Sequence, residues 1–205
     1  MSEENKEFIV KNVRLCFPES LFTRPTFENK LQDKYECQFL LDPKDPEHKV
    51  AIKAISAEVK NLIETELGGD KPENKYCCVK TFDMHTKRGK REEYKDMIYI
   101  KCKSKQRPRV VDRTLTMMDK DDERIYGGCR ALVKFSLWGA DSKFGPTIGG
   151  NIIVVQWMGN DEPFGAGHIS DEEALEGLEE LEPDEELFAA GNNTKEETAE
   201  ENLFG

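Results

Sequence analysis

Apolar residues along this chain fall in short alternating runs, interrupted once by a helical rhythm. The run FIVKNVRLCF (8–17) is rich in Val, Ile and Phe and stops at Pro18, which predicts a strand. After the polar loop SLFTRPTFENKLQDK (20–34), YECQFLL (35–41) predicts a second strand. The period then changes. Ile52, Ile55, Val59, Leu62, Ile63 and Leu67 recur at three- and four-residue spacings, so they share one face of a helix over about 46–67. Asp45 precedes that helix as a cap for its free amides. Pro46 suits the first helical position, and Gly68-Gly69 ends it.

Beyond the helix the pattern returns to strands: YCCVKTF (76–82), MIYIKCKS (97–104), GGCRALVKFSLW (127–138) and NIIVVQWM (151–158). Turn-formers separate them at Thr86 to Gly89, at Asp119-Lys120-Asp121-Asp122, and at Phe144-Gly145-Pro146 with Gly149-Gly150. Five or six strands around one inserted helix predict a mainly β fold, a small antiparallel barrel or sandwich. After Gly165 the pattern dissolves into Glu-rich sequence with few aromatics, which cannot bury enough surface to offset ordering entropy. The expected organisation is one domain over 1–165 and a disordered tail over 166–205, with a short helix around 171–181.

Charge changes this picture. From Asp161 to Gly205 there are sixteen Asp or Glu against Lys195 alone, a net of −15, whereas the whole chain is −11. Residues 1–160 therefore carry +4, and a mildly basic body precedes a strongly acidic tail. Such asymmetry points to nucleic acid, with the tail as a partner signal or a competitor for the site. No run approaches the roughly 18 apolar residues of a membrane helix. The polar opening MSEENKE reads as neither signal nor transit peptide, so a cytoplasmic location is expected.

Positive charge concentrates in residues 75–113, with thirteen Lys or Arg against five acids, a local net of +8. Within it IYIKCKSK (98–105) alternates: Ile98, Ile100 and Cys102 on one face, Tyr99, Lys101, Lys103 and Lys105 on the other. Ammonium groups that neutralise phosphates beside a ring that stacks a base suit a single strand. A solvated edge strand guarded by Lys would read the same way. In KTFDMHTKRGKREEYK (80–95), Lys87, Arg88, Lys90 and Arg91 surround Gly89 at a predicted hairpin tip, flanked by Phe82 and Tyr94. Arg107 and Arg109 extend the basic set. Basic residues interleaved with aromatics carry no base code, so sequence-independent binding is expected. Trp138, Trp157 and Phe144 read as core or rim packing ahead of stacking platforms.

Other chemistry is weak. Cys16, Cys37, Cys77, Cys78, Cys102 and Cys129 show no paired ligand spacing, and His48, His85 and His168 lie far apart, so free thiols, no metal and no cofactor are expected. Asp83 with Glu93-Tyr94-Lys95 imitates the acid and E-x-K elements of a metal-dependent nuclease, but Arg91 and Glu92 precede Glu93 where an apolar strand is needed. No phosphate-loop, dinucleotide-turn or nucleophile-elbow string occurs, so no enzyme is expected. An adaptor or DNA mimic, acting through the acidic tail, is the alternative from another class.

The strings RPRVVD (107–112), IYGGCRALVKFSLW (125–138) and GPTIGGNIIVVQWMGNDEPFG (145–165) resemble the phage single-stranded-DNA-binding protein family. VRLCFPESLF (13–22), the YECQFLL strand and the 46–67 helix are similar to it in order and spacing, so the resemblance covers about residues 8–165. It implies an OB-fold-like antiparallel barrel and cooperative, sequence-independent coating of ssDNA in phage replication or recombination; a homo-oligomer is a separate expectation. It also implies an acidic tail that docks replication proteins such as a polymerase or helicase. Such tails end in acids and a terminal Phe. Glu196, Glu197, Glu200, Glu201 and Phe204 match that pattern, but Asn202-Leu203 precede Phe204 and Gly205 follows it.

Overall fold

Among the described residues, alternation and turn chemistry place nine strands and two α-helices in chain order: β1 (Glu7–Cys16), α1 (Glu19–Phe22), β2 (Thr26–Phe27), β3 (Lys30–Leu31), β4 (Tyr35–Leu41) and α2 (Pro46–Thr65). There follow β5 (Val79–Thr81), β6 (Ile98–Ser104), β7 (Arg109–Val111), β8 (Arg130–Ser142) and β9 (Gly145–Gly159). The structure is a computed structural model and describes residues 6–81 and 92–164. The expected hairpin tip and acidic tail, including the short helix at 171–181, lie outside the described residues.

The helix forms as its sequence dictates. The Asp45 carboxylate accepts from the amides of Glu47 and His48 at 2.8 and 3.2 Å, and Pro46 opens the first turn. Gly68 and Gly69 take positive φ, and the Gly69 amide closes on the Ile63 carbonyl at 2.8 Å. Ile55 and Leu62 are buried, with Ile52, Val59 and Ile63 half-buried beside them. His48 is also buried. Its Nδ1 accepts from the Asp42 amide at 3.0 Å and its Nε2 lies 2.9 Å from the Lys11 carbonyl, tying the helix start to β1.

Seven strands form one sheet, ordered β5-β6-β4-β1-β8-β9-β7, and an extra β6–β9 pairing closes five of them into a ring. β1 serves two neighbours, pairing through Glu7–Arg14 with β8 and through Arg14–Cys16 with β4. The register shifts between Val10 and Val13, where Asn12 has φ 57°, and such a bulge bends a strand around a barrel corner. Four of the five ring contacts are antiparallel, and β6–β9 is parallel at Cys102↔Gly150 and Lys103↔Asn151. Parity requires this: five strands cannot alternate direction all the way round a ring. The interior is filled by Val13, Leu15, Phe39, Ile100, Cys102, Val133, Phe135 and Val155, all at most 0–1 % exposed.

Several expectations need adjustment. The predicted strand 76–82 is a short 3-10 turn at Asn74–Tyr76 followed by β5. The loop 20–34 holds α1 and the β2–β3 hairpin, turned at Glu28 and Asn29 with φ 48° and 60°. Gly149-Gly150 is not a turn but lies inside β9, which begins at Gly145. A Cβ at Gly150 would come 2.6 Å from the Cys102 Sγ, so the bare backbone is what lets β9 reach β6 and close the ring.

Candidate nucleic-acid interface

The chain around Tyr76 to Cys78 crosses the seam where β6 and β9 meet. Cys78 donates its amide to the Ile148 carbonyl and accepts from the Lys101 amide, each at 2.9 Å. A groove of about 470 Å³ opens over this seam. Its rim and floor carry Lys34, Lys75, Lys80, Lys101, Lys103 and Lys105, together with Tyr76, Trp138 and the glycine backbone of β9. Among the described residues no Asp or Glu lines it. Six lysines converge here because β6 presents alternate positions outward while Lys34, Lys75 and Lys80 arrive from flanking segments; Lys75 is paired with Glu73 at 3.0 Å.

Behind two of these lysines lies a buried acid. Glu36 on β4 is paired across the ladder with Lys103 and is 7 % exposed. Its Oε2 lies 2.6 Å from Lys101 Nζ and its Oε1 3.0 Å from Lys103 Nζ. Gln38 Nε2 donates to the same carboxylate at 3.3 Å, and the Tyr99 hydroxyl donates to Gln38 Oε1. Burial by itself would raise the Glu36 pKa, but the hydrogen bonds and charges of Lys101 and Lys103 outweigh it and hold the group below its ordinary value. Lys80 is shifted down, first by burial, and the charge of Lys101 adds to that shift.

Aromatic surface adjoins the lysines. Trp138 on β8 stands opposite Gly149 on β9, and the indole lies where a Cβ at Gly149 would be. Tyr76 stacks on Phe144 at the β8–β9 tip, with ring centroids 6.3 Å apart and planes at 21°. Lys75 Nζ sits 4.7 Å from the Tyr76 ring centre and Lys143 Nζ 4.9 Å from that of Phe144, which is 62 % exposed. The set offers ring faces beside cations, the two elements that a single strand needs.

Of the residues singled out in the sequence, Lys101, Lys103 and Lys105 line the groove. Tyr99 and Tyr94 require correction. The alternation of β6 holds, but its outer face is covered at Tyr99: the ring packs on Tyr94 at 5.4 Å, and both join Cys16, Leu40, Met97 and Phe164 in a second apolar cluster. At 7 % and 4 % exposure neither ring presents a face to a ligand. Arg107 lies over the Phe22 ring at 5.2 Å, and Arg109 is an exposed residue at the start of β7; neither is among the groove-lining residues. Lys87, Arg88, Lys90 and Arg91 lie outside the described residues, as do Glu196, Glu197, Glu200, Glu201 and Phe204. Glu93 belongs to a 3-10 turn at Glu92–Tyr94 and not to a strand, and Asp83 lies outside the described residues.

Sequence reasoning missed Lys34, Tyr76 and the placement of Trp138 and Phe144. Lys75 and Lys80 lay inside the +8 stretch without being singled out. The glycine pair in β9 was the available signal, since two adjacent glycines in an apolar strand mark a close approach. The chain end nearest the tail is pinned to the barrel. Asp161 pairs with Arg14 at 3.5 Å and with Arg130, Tyr126 Oη donates to the Asp161 carbonyl at 2.7 Å, and Arg14 lies 4.2 Å over the Phe164 ring.

A family model described as Enterobacter phage Enc34, ssDNA-binding protein matches residues 6–187. Over 190 residues the chain is 28% identical to protein p50 of Acyrthosiphon pisum secondary endosymbiont phage 1, covering 88% of this chain and 98% of that one. The single-stranded DNA-binding protein from bacteriophage Enc34 in complex with ssDNA shares the fold with a TM-score of 0.65 at 24% identity, over 78% of this chain and 89% of that one. A second structure of the Enc34 protein gives a TM-score of 0.63 at 24% identity, over 82% and 89% of the two chains.

Proposed function

The chain belongs to the Enterobacter phage Enc34 ssDNA-binding protein family, and on that premise we propose that it binds single-stranded DNA without sequence preference, on an OB-type barrel, through the groove over the β6–β9 seam. Lys34, Lys80, Lys101, Lys103 and Lys105 neutralise successive phosphates, and Trp138, Tyr76 and Phe144 offer ring faces to the bases. Lys87, Arg88, Lys90 and Arg91, which follow β5 in the sequence, extend the cationic path, as do Arg107 and Arg109. The observation that carries this reading is a groove that, among the described residues, is lined by six lysines and two aromatics with no acid. Lysine and ring contacts specify no base, which accords with coating of ssDNA in phage replication and recombination in the host cytoplasm.

The acidic segment after Phe164 is the natural partner-docking element, with Glu196, Glu197, Glu200, Glu201 and Phe204 as its tip and a polymerase or helicase as the class of partner. It is also a tethered competitor for the groove, since it holds a high effective concentration near its own cations.

Titration of the full chain with an unstructured oligonucleotide across a salt series tests the reading. Binding that falls steeply with salt is expected, because each phosphate contact releases condensed counterion. Salt-independent binding overturns the groove. Absence of binding by both the full chain and a chain lacking 166–205 favours the adaptor or DNA-mimic alternative. Tighter binding after that deletion supports the competitor role, and unchanged binding removes it.

A further inference from the structure

The lysine groove has an anion behind it. Among the described residues Glu36 is the one buried carboxylate, and it meets both Lys101 Nζ and Lys103 Nζ while standing outside the set that lines the groove. Lys101 and Lys103 have side chains 33% and 47% exposed, against 9% for Glu36, so the ammonium groups stand between the carboxylate and solvent. An anion arriving from the groove meets two cations whose charge is already half cancelled.

We infer that Glu36 is an affinity-tuning residue, a resident counter-anion that weakens the grip of Lys101 and Lys103 on phosphate and keeps the ssDNA complex reversible. This rests on the single-strand reading of the groove. A phosphate oxygen hydrogen-bonded to either ammonium would lie about 5–6 Å from the Glu36 carboxylate, given ordinary N–O separations on both sides. Two like charges at that range repel appreciably in a partly desolvated site. The local charge that ssDNA neutralises is therefore +1 and not +2, and one fewer counterion is released on binding. Folding gives a reason for the acid. Lys101 and Lys103 are two residues apart on the same face of β6, and Lys80 is also close enough to sense Lys101. Without an anion these ammonium groups repel one another in the empty protein. The hydrogen bond from Gln38, itself held by Tyr99, keeps the carboxylate aimed at the lysines.

The test is a charge cycle on the full chain, read as ssDNA affinity against salt. Glu36→Gln is expected to bind an unstructured oligonucleotide about fivefold to tenfold more tightly at low salt, with a log–log salt slope steeper by about 0.7. Lys103→Gln is expected to weaken binding and flatten the slope. Glu36→Gln/Lys103→Gln leaves no unpaired buried charge, so it retains the fold even where the single change does not. Because its local charge equals that of the unchanged protein, it is expected to match that protein in affinity and slope within about twofold. Glu36→Gln that weakens binding at every salt with an unchanged slope overturns the proposal and makes Glu36 a mere support for the lysines. A double variant as weak as Lys103→Gln overturns it as well. Failure of the unchanged protein to bind ssDNA is a separate outcome, which sinks the groove reading itself.

Discussion

The indole of Trp138 occupies the space that a side chain at Gly149 would take, across the β8–β9 ladder where the two residues are paired. No positive φ is involved at Gly149, so glycine is there for space alone. Gly149→Ala must push the ring, and with it one wall of the groove. On the single-strand reading, Gly149→Ala and Trp138→Ala both weaken ssDNA binding, the latter by about 1–3 kcal/mol, the worth of one base stacked on a ring. Oligonucleotide titration by fluorescence anisotropy measures this. Unchanged affinity in both variants removes Trp138 from the stacking set.

Lys105 and Lys80 both line the groove, and neither forms an ion pair among the described residues. Lys105→Gln and Lys80→Gln are each expected to reduce the log–log salt slope of ssDNA binding by about 0.7, the single-strand value for one phosphate contact. The affinity loss is expected to be equal for poly-pyrimidine and mixed oligonucleotides, because phosphate contacts carry no sequence information. A loss confined to one sequence contradicts this.

Tyr99 distinguishes a face read from alternation from one that is actually open. Its ring is buried against Tyr94 and its hydroxyl donates to Gln38. Tyr99→Ala is expected to cost about 3–5 kcal/mol of folding stability, the range for deleting a buried aromatic. Chemical denaturation measures it. Tyr99→Phe keeps the ring and loses one hydrogen bond, so a drop of about 1 kcal/mol with ssDNA stacking preserved is expected.

Gly128 is buried with φ 109°, and a Cβ there would run into the Glu162 carbonyl and come within 3.0 Å of the Phe164 amide. Backbone conformation and space both exclude a side chain. Gly128→Ala is expected to lower stability by at least about 1–2 kcal/mol from backbone strain alone. Thermal melting reads it. A neutral result means the 161–164 segment is not seated on Gly128.

Acid should unfold the protein through specific carboxylates. The ordinary Glu and Asp values are 4.5 and 3.8, and Glu36 and Asp161 both lie below them in the fold. For Asp161, burial opposes the shift, and the Glu162 amide with Arg14 and Arg130 overcomes it. A depressed folded value means stability that is complete above the unfolded value and is lost as pH falls through the folded one. Melting temperature is thus expected to hold above pH 4.5 and to fall below it. Glu36→Gln and Asp161→Asn should each flatten that limb; identical acid limbs in all three proteins would contradict the assignment.

Much of the barrel was legible because its signals are local. Asp45-Pro46 and Gly68-Gly69 bracket α2 through hydrogen bonds made within a few residues, and YECQFLL pairs over its whole length as β4. The four missed elements, α1, β2, β3 and β7, are two to four residues long, too short for any periodicity to register. In the sequence Gly149-Gly150 reads as a turn because glycine marks both turns and close approaches, and only the partner across the gap tells which. Lys101, Lys103 and Lys105 were readable as one outward face. Lys34 lies some seventy residues away from them and joins the groove only because β4 pairs with β6.

By itself the sequence determined the helix, most of the longer strands and the cationic stretch from 75 to 113, because periodicity and charge are properties of neighbouring residues. Tertiary structure decided what each face meets. Alternation assigned Tyr99 and Lys101 to the same outer face of β6, but Tyr94 and Phe164 cover one while the other opens onto the groove. It also set Glu36 behind Lys101 and Lys103, since the β4–β6 register brings that carboxylate across from cations more than sixty residues away in the chain. Pairing of this kind follows from the antiparallel β4–β6 register, which joins segments far apart in the chain, and no window along the chain contains it.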